Sequence, residues 1–447
     1  MPTEPVAAPT GAPQNPLALV RTRGYLVVLV IAAVLGVPIS MAAFGFLALV
    51  DELQSLAYNE LPHGLGFHTA PNWWPVPLLA VAGLLVAPVI TYLPGGGGHK
   101  PAEGLKTSGT PSVAIVPGVF LAAVASLALG VVLGPEAPLI AIGGGLAVGA
   151  VRLLGRRASG AVPVVGAAGS FAAISELLGS PLLGAFLLME ASGLGGAMLG
   201  VVLVPGLLAA GIGSLIFTGL GSWTGLGTYS LGLQNVPTAP RPGLSEFGWA
   251  LVIGLAAAVV GEGVRRGALA LQDRVERRRL LLTVAAGAVV GVTALVYAET
   301  TGHSISDVLY SGQTGLGPLI ADSATLSAGT LVMLVTCKSL AYCVSLSAFR
   351  GGPVFPSMYI GAAGGLAFSH LAGLDATTGF AMGIGAMGVA MLKLPMTSVL
   401  LATLLLGSSG LTVMPLVIVA VVVSYVVTLR LAPAPAPEGA AQQPPAG

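Results

Sequence analysis

The sequence predicts an all-α polytopic membrane fold, made of two related, oppositely oriented halves with broken and tilted helices. Three observations carry this prediction. The 447 residues are 55% hydrophobic and only 8% charged, with a mean hydropathy of +0.93, far more apolar than a soluble domain. The apolar residues fall into successive runs, several of them short for a bilayer that needs ~20 residues per span. Two of the runs open alike: Pro138-Leu139-Ile140-Ala141-Ile142-Gly143 and Pro356-Ser357-Met358-Tyr359-Ile360-Gly361 share a proline and an Ile-Gly pair, 218 residues apart.

Taken in order, residues 1–16 are rich in Pro, Ala and Thr and read as a disordered tail, bounded at 1–20. No basic region leads directly into an apolar core, so a signal peptide is not expected. Arg21 and Arg23 precede the run 25–50, and the positive-inside rule then puts the N-terminus in the cytoplasm. Residues 51–74 read as an external loop ending in the interfacial Trp73 and Trp74. The run 75–93 brings the chain back, and the turn Gly95-Gly96-Gly97-Gly98-His99-Lys100-Pro101 follows on the inner side. Runs at 111–133, 138–154, 162–178, 181–198 and 199–220 fill out a first half, 21–235. A polar stretch at 221–245 divides it from the second half, 236–430, with runs at 247–271, 280–298, 325–346, 358–371, 379–391, 397–406 and 411–429. The cluster Arg265, Arg266, Arg274, Arg277, Arg278 and Arg279 lies between the first two of these and reads as a cytoplasmic topology anchor rather than a ligand site. The tail 431–447 is rich in Pro and Ala and too short for a regulatory domain.

Composition narrows function. A net charge of +1 shows no bias towards nucleic acid. Cys337 and Cys343 fit neither a zinc knuckle nor a disulfide scaffold and read as small core residues. The five histidines have no metal-ligand spacing, and neither a metal nor an organic cofactor is expected. Short runs broken by glycine and proline point to helices that end inside the membrane, tolerated only where they line a protein cavity.

One stretch, Leu133-Gly134-Pro135-Glu136-Ala137-Pro138-Leu139, puts a carboxylate among glycines and apolar residues at the start of a helix. Proline is tolerated in a first turn because the N–H groups there have no helical partner. Those free donors and the helix dipole favour an anion. Glu136 brings a negative charge to the same place, so it reads as a plug that enters when the ion leaves and withdraws when protonated. The matching Pro356 segment implies a second broken helix aimed at the same anion, the arrangement of duplicated transporters.

At these residues the sequence resembles the CLC chloride channel and transporter family. Its members carry a Gly-Arg/Lys-Glu-Gly-Pro motif whose glutamate gates the pathway, and Gly134-Pro135-Glu136-Ala137-Pro138 looks like a divergent version. Arg350-Gly351-Gly352-Pro353-Val354-Phe355-Pro356 is similar to the family's Gly-Gly-x-Phe-x-Pro motif, and Gly97-Gly98-His99-Lys100-Pro101 stands where the family has Gly-Ser-Gly-x-Pro. The segments Ser180-Pro181-Leu182-Leu183-Gly184 to Met189-Glu190 and Leu271-Gln272-Asp273 fit the order. The resemblance covers about residues 20–430 and looks closest to a bacterial branch of ion-transport proteins with a Gly-Pro-Glu-x-Pro gate motif.

What the resemblance implies is passive transport of a small anion, chloride first, gated by Glu136, in the inner membrane of a bacterium. The anion would be bound by Gly98, Glu136, Ala137, Leu139, Val354 and Phe355, and the protein would be a homodimer that buries residues 177–195 and 397–423. Departures from the family bear on mechanism. Its coordinating serine falls on Gly98, its central tyrosine has no counterpart in the Pro-Ala tail, and Pro353 lacks the N–H that helps bind the anion. Exchangers of the family have an inner proton-carrying glutamate, and that position is Ala191 here. Glu176 and Glu190 remain candidates for a proton path or for structural hydrogen bonds. Lys338, Arg350 and Lys393 could each draw anions, but are expected rather to snorkel or to close on helix C-termini. Two alternatives stand beside passive transport: a proton-coupled chloride antiporter, and an intramembrane enzyme suggested by Gly407-Ser408-Ser409-Gly410. The latter lacks a histidine on a later helix.

Overall fold

The computed structural model describes residues 20–105, 112–153, 161–233 and 236–432. Both expected tails lie almost wholly outside the described residues. The helices are α1 (Arg23–Ser55), α2 (Pro75–Tyr92), α3 (Val116–Ala128), α4 (Glu136–Leu153), α5 (Val162–Ala173), α6 (Pro181–Ser192) and α7 (Gly196–Thr224). After an irregular stretch come α8 (Leu244–Arg277), α9 (Arg279–Thr301), α10 (Leu316–Ala321), α11 (Ala328–Ala348), α12 (Val354–Ser369), α13 (Ala376–Leu392), α14 (Pro395–Leu405) and α15 (Gly407–Leu431). Among the described residues eight helical stretches are long and apolar enough to cross a membrane, and several shorter apolar helices accompany them.

The sequence of α1 to α7 recurs as α8, α9 and α11 to α15, with the six-residue α10 inserted. Packing repeats as well. In the first half α1 lies against α5 and α7, α4 against α5, and α6 against α7; in the second, α8 lies against α13 and α15, α12 against α13, and α14 against α15. The halves are inverted relative to one another. Equivalent helices α2 and α9 pack antiparallel, Gly83 facing Thr283, Gly287 facing Leu79 and Gly291 facing Val76. Equivalent segments also meet antiparallel at an isolated bridge between Gly134 and Gly352.

Close crossing of helices explains much of the glycine. Gly143 of α4 faces Gly169 of α5, and Gly361 of α12 faces Gly383 of α13, so that a methyl group on any of the four would run into the partner's backbone. Small residues at such crossings bring helices near enough for dispersion contact where lipid supplies no hydrophobic drive. In α13 every residue from Thr377 to Leu392 is buried, which marks it as a central helix.

Apolar runs and helices do not coincide everywhere. The run 111–133 is helical only to Ala128, because Gly130 adopts φ +96° and turns the chain towards the bridge. Gly193, at φ +64°, breaks the run 181–198 into α6 and α7. Helix α12 opens at Val354, ahead of the expected start of its run, and α8 continues through most of the basic cluster to Arg277.

Candidate functional site

The bridge fixes the site. Gly134 N–H donates to Gly352 O at 2.8 Å and Gly352 N–H donates to Gly134 O at 2.6 Å, so the two segments that lead into α4 and α12 are held side by side. Glu136 is the first residue of α4 and Val354 the first of α12. The helix ends therefore converge on one spot.

Into that spot folds the Glu136 side chain, which is 0% exposed. Its Oε1 accepts the backbone N–H of Val354 at 2.5 Å, and its Oε2 is buried without a hydrogen-bond partner. Among the described residues no lysine, arginine or histidine forms an ion pair with it. A carboxylate bonded by a helix-start N–H is held by the orphan donors and positive dipole end of that helix, and a hydrogen bond to a charged group stabilises by about 1.5–3 kcal/mol. Glycine is required on both sides of it: a Cβ at Gly134 or Gly352 would overlap the Glu136 carboxyl group. Tyr342 of α11 is fully buried and its hydroxyl donates to Pro353 O at 2.8 Å. The tyrosine thereby fixes the residue that precedes Val354.

The other expected anion-site residues divide into two sets. Gly98 and Ala137 line a common cavity of about 910 Å³, together with Gly97, Pro138, Arg350 and Gly351. Val354, Phe355 and Leu139 are fully buried beside it. The Leu139 N–H donates to Pro135 O at 3.0 Å and so has a helical partner. With Pro138 unable to donate, the N–H groups of α4 without a helical partner narrow to its first two residues.

Both proton-path candidates are hydrogen-bonded away from this spot. Glu190 receives Met396 N–H at 3.0 Å, Thr397 N–H at 2.7 Å and the Thr397 hydroxyl at 2.6 Å, which caps the start of α14. Glu176 accepts the hydroxyl of Ser214 and, at 3.4 Å, that of Ser230. Lys338 does not snorkel. It is 0% exposed, and its Nζ donates to the carbonyls of Asp307, Val308 and Leu309 at 2.9–3.0 Å while lying 4.4 Å from the ring centre of Tyr359. Arg350 is 7% exposed and is likewise turned inward. Ser409, of the run that suggested an enzyme, donates to Pro237 O at 3.3 Å.

Tyr342 was not evident from the sequence as a site residue. The signal was there: a tyrosine inside an apolar helix needs a hydrogen-bond partner when buried, and it lies 11 residues before Pro353.

A protein-family model described as voltage gated chloride channel matches residues 102–429. The relative YfeO of Salmonella paratyphi A, named for ion transport, is 28% identical over 349 residues, which is 77% of this chain and 81% of that protein. Two solved structures share the fold. A slow cyanobacterial Cl−/H+ antiporter superposes with a TM-score of 0.68 at 17% identity, over 90% of this chain and 94% of its own. A CLC-type fluoride/proton antiporter gives a TM-score of 0.62 at 18% identity, over 90% of this chain and 95% of its own.

Proposed function

This chain belongs to the voltage gated chloride channel family, and from that premise we propose that it carries a small anion, chloride first, through a pathway between the starts of α4 and α12 that Glu136 gates. One observation carries the reading: the Val354 N–H, a donor that a helix start offers to an anion, is bonded to the Glu136 carboxylate. The carboxylate takes the place of the ion. When Glu136 is protonated it loses the charge that holds it there, and an anion takes the Val354 and Phe355 donors in its stead. Ala137 and Gly98 serve the same anion from the cavity side.

Passive conduction is the first reading. The second is proton-coupled exchange, in which Glu176 and Glu190 pass the proton. It is favoured by the presence of Glu176 as a part-buried acid bonded to two serines, and by the antiporters that share the fold. An intramembrane hydrolase is the reading that a complete absence of flux would revive.

The positive-inside rule supports a cytoplasmic N-terminus in the inner membrane of a bacterium. Lys100 pairs with Glu276 at 2.5 Å, and Arg279 donates to Ile90 O at 3.4 Å, so the glycine turn and the arginine cluster share one end of the molecule. That end would be the cytoplasmic one, and the cavity belongs to it. A homodimer would cover the exposed apolar residues of α6, α14 and α15, among them Leu182, Met396, Leu404 and Leu411.

Reconstituted vesicles test the reading. Anion efflux without proton movement supports a channel, anion and proton counter-movement in fixed ratio supports an exchanger, and the absence of flux for chloride, fluoride and nitrate contradicts both.

A further inference from the structure

We propose that Arg350 is the cavity-side anion-binding residue of the pathway, its guanidinium taking up the ion before it reaches the Val354 donor that Glu136 occupies and favouring planar oxyanions such as nitrate over a bare halide. This rests on the transport reading above.

Arg350 is more than nine-tenths buried, at 7% exposed. Its Nε donates to Gly96 O at 3.0 Å and its Nη1 to Phe349 O at 3.0 Å, and among the described residues no carboxylate pairs with it. Two carbonyls use two of the five N–H groups of a guanidinium; Glu276 and Glu103 act on its charge only from beyond ion-pair distance, Arg279 opposes them, and Glu276 is paired with Lys100. A buried guanidinium with donors left over is costly to keep unless something meets them. The side chain lies on the wall of the 910 Å³ cavity that reaches the first turn of α4. An anion in the cavity meets the donors that the two carbonyls leave over.

The internal symmetry points the same way. Flanking the glycine bridge, Val132 N–H donates to Ser345 of the second half at 3.3 Å, and Arg350 N–H donates to Ser126 of the first half at 3.4 Å. Val132 and Arg350 are thus counterparts, as are Glu136 and Val354. At these positions each half has one charged residue where the other has valine: an acid that closes on the second helix, and a base on the cavity wall. A role confined to holding the Gly96 carbonyl is within the reach of any neutral donor, and does not call for a charge. Gly98, on the same wall, offers no hydroxyl, and the guanidinium is a charged side chain there with N–H groups to spare. Its forked, planar donor set fits nitrate or bicarbonate with two parallel hydrogen bonds, whereas an ammonium fits a sphere equally well.

The test compares chloride and nitrate efflux from vesicles reconstituted with the full chain, its Arg350→Met variant and its Arg350→Lys variant, each as a function of anion concentration and of pH. Arg350→Met is expected to raise the half-saturating concentration of both anions by about tenfold. Arg350→Lys is expected to keep chloride within about threefold while lowering the nitrate-to-chloride preference by about tenfold. Should Arg350→Met fail to elute as a folded species, the lysine variant decides alone. If the lysine variant has the wild-type nitrate-to-chloride ratio, or if a folded Arg350→Met saturates as wild type does, the assignment is wrong. Wild-type flux that still depends on pH through Glu136 would in that case leave the pathway standing, whereas a wild type that moves neither anion removes both.

Discussion

Oε1 of Glu136 lies 2.5 Å from the backbone nitrogen of Val354, and these two residues, 218 positions apart, are the first residues of equivalent helices in the two halves. A pseudo-twofold relationship brings identical positions together at its axis. The first half contributes an acid there and the second half a donor that has no partner within its own helix. The proposed gate is thus a departure from symmetry between the two copies of one structural unit.

Gly352→Ala tests the fit of the carboxylate. The added Cβ overlaps the Glu136 carboxyl group and displaces it from the Val354 N–H. The expected result is anion flux that is higher at neutral pH and changes less on acidification, with a stability loss of about 1–3 kcal/mol from overpacking. The ratio of flux at acidic and neutral pH is the measurement, and a ratio equal to that of wild type would show that the carboxylate works from elsewhere.

Lys338→Met removes the donor that holds three carbonyls of the connection between α9 and α10 while nearly preserving volume. Leaving buried acceptors unpaired costs about 1–3 kcal/mol each. The variant should lose its folded, monodisperse fraction in detergent at a clearly lower temperature, and unchanged thermal stability would mean that the connection is held by other contacts.

Much of the fold was legible in the sequence, because spans follow from the solvent: a bilayer demands long apolar helices and forbids lipid-exposed irregular backbone. The Glu136 helix start was legible for a local reason, a proline in the first turn. Other features were not. Hydrophobicity continues through a buried turn as readily as through a helix, so residues 129–133 looked like the end of a span although Gly130 turns them into one side of the bridge. The six residues of α10 are too few for a periodicity to show. The Glu136–Val354 bond and the Tyr342–Pro353 bond join separate helices, and no local pattern encodes such pairings. Of the two expectations for Arg350 and Lys338, an interface or a helix C-terminus, the structure has the second: Arg350 donates to Phe349 O at the end of α11, and Lys338 to the carbonyls that end the short turn Ile305–Asp307.

Glu190→Gln separates a cap from a proton carrier. Its carboxylate receives two N–H groups and a hydroxyl at the start of α14, so the amide should lower thermal stability by about 1 kcal/mol, as loss of a charged cap does. The number of protons moved per anion should stay as in wild type. A change in that ratio would place Glu190 on a proton route and favour the exchanger.

The central claim, that one carboxylate competes with the transported anion for a helix-start donor, is tested most directly by the pH profile of chloride efflux from vesicles for wild type and Glu136→Gln in parallel. An acid that closes the path when charged predicts wild-type flux that rises as pH falls. The glutamine variant is predicted to be about tenfold faster at neutral pH and flat across the same range. Identical profiles for the two proteins would contradict the account.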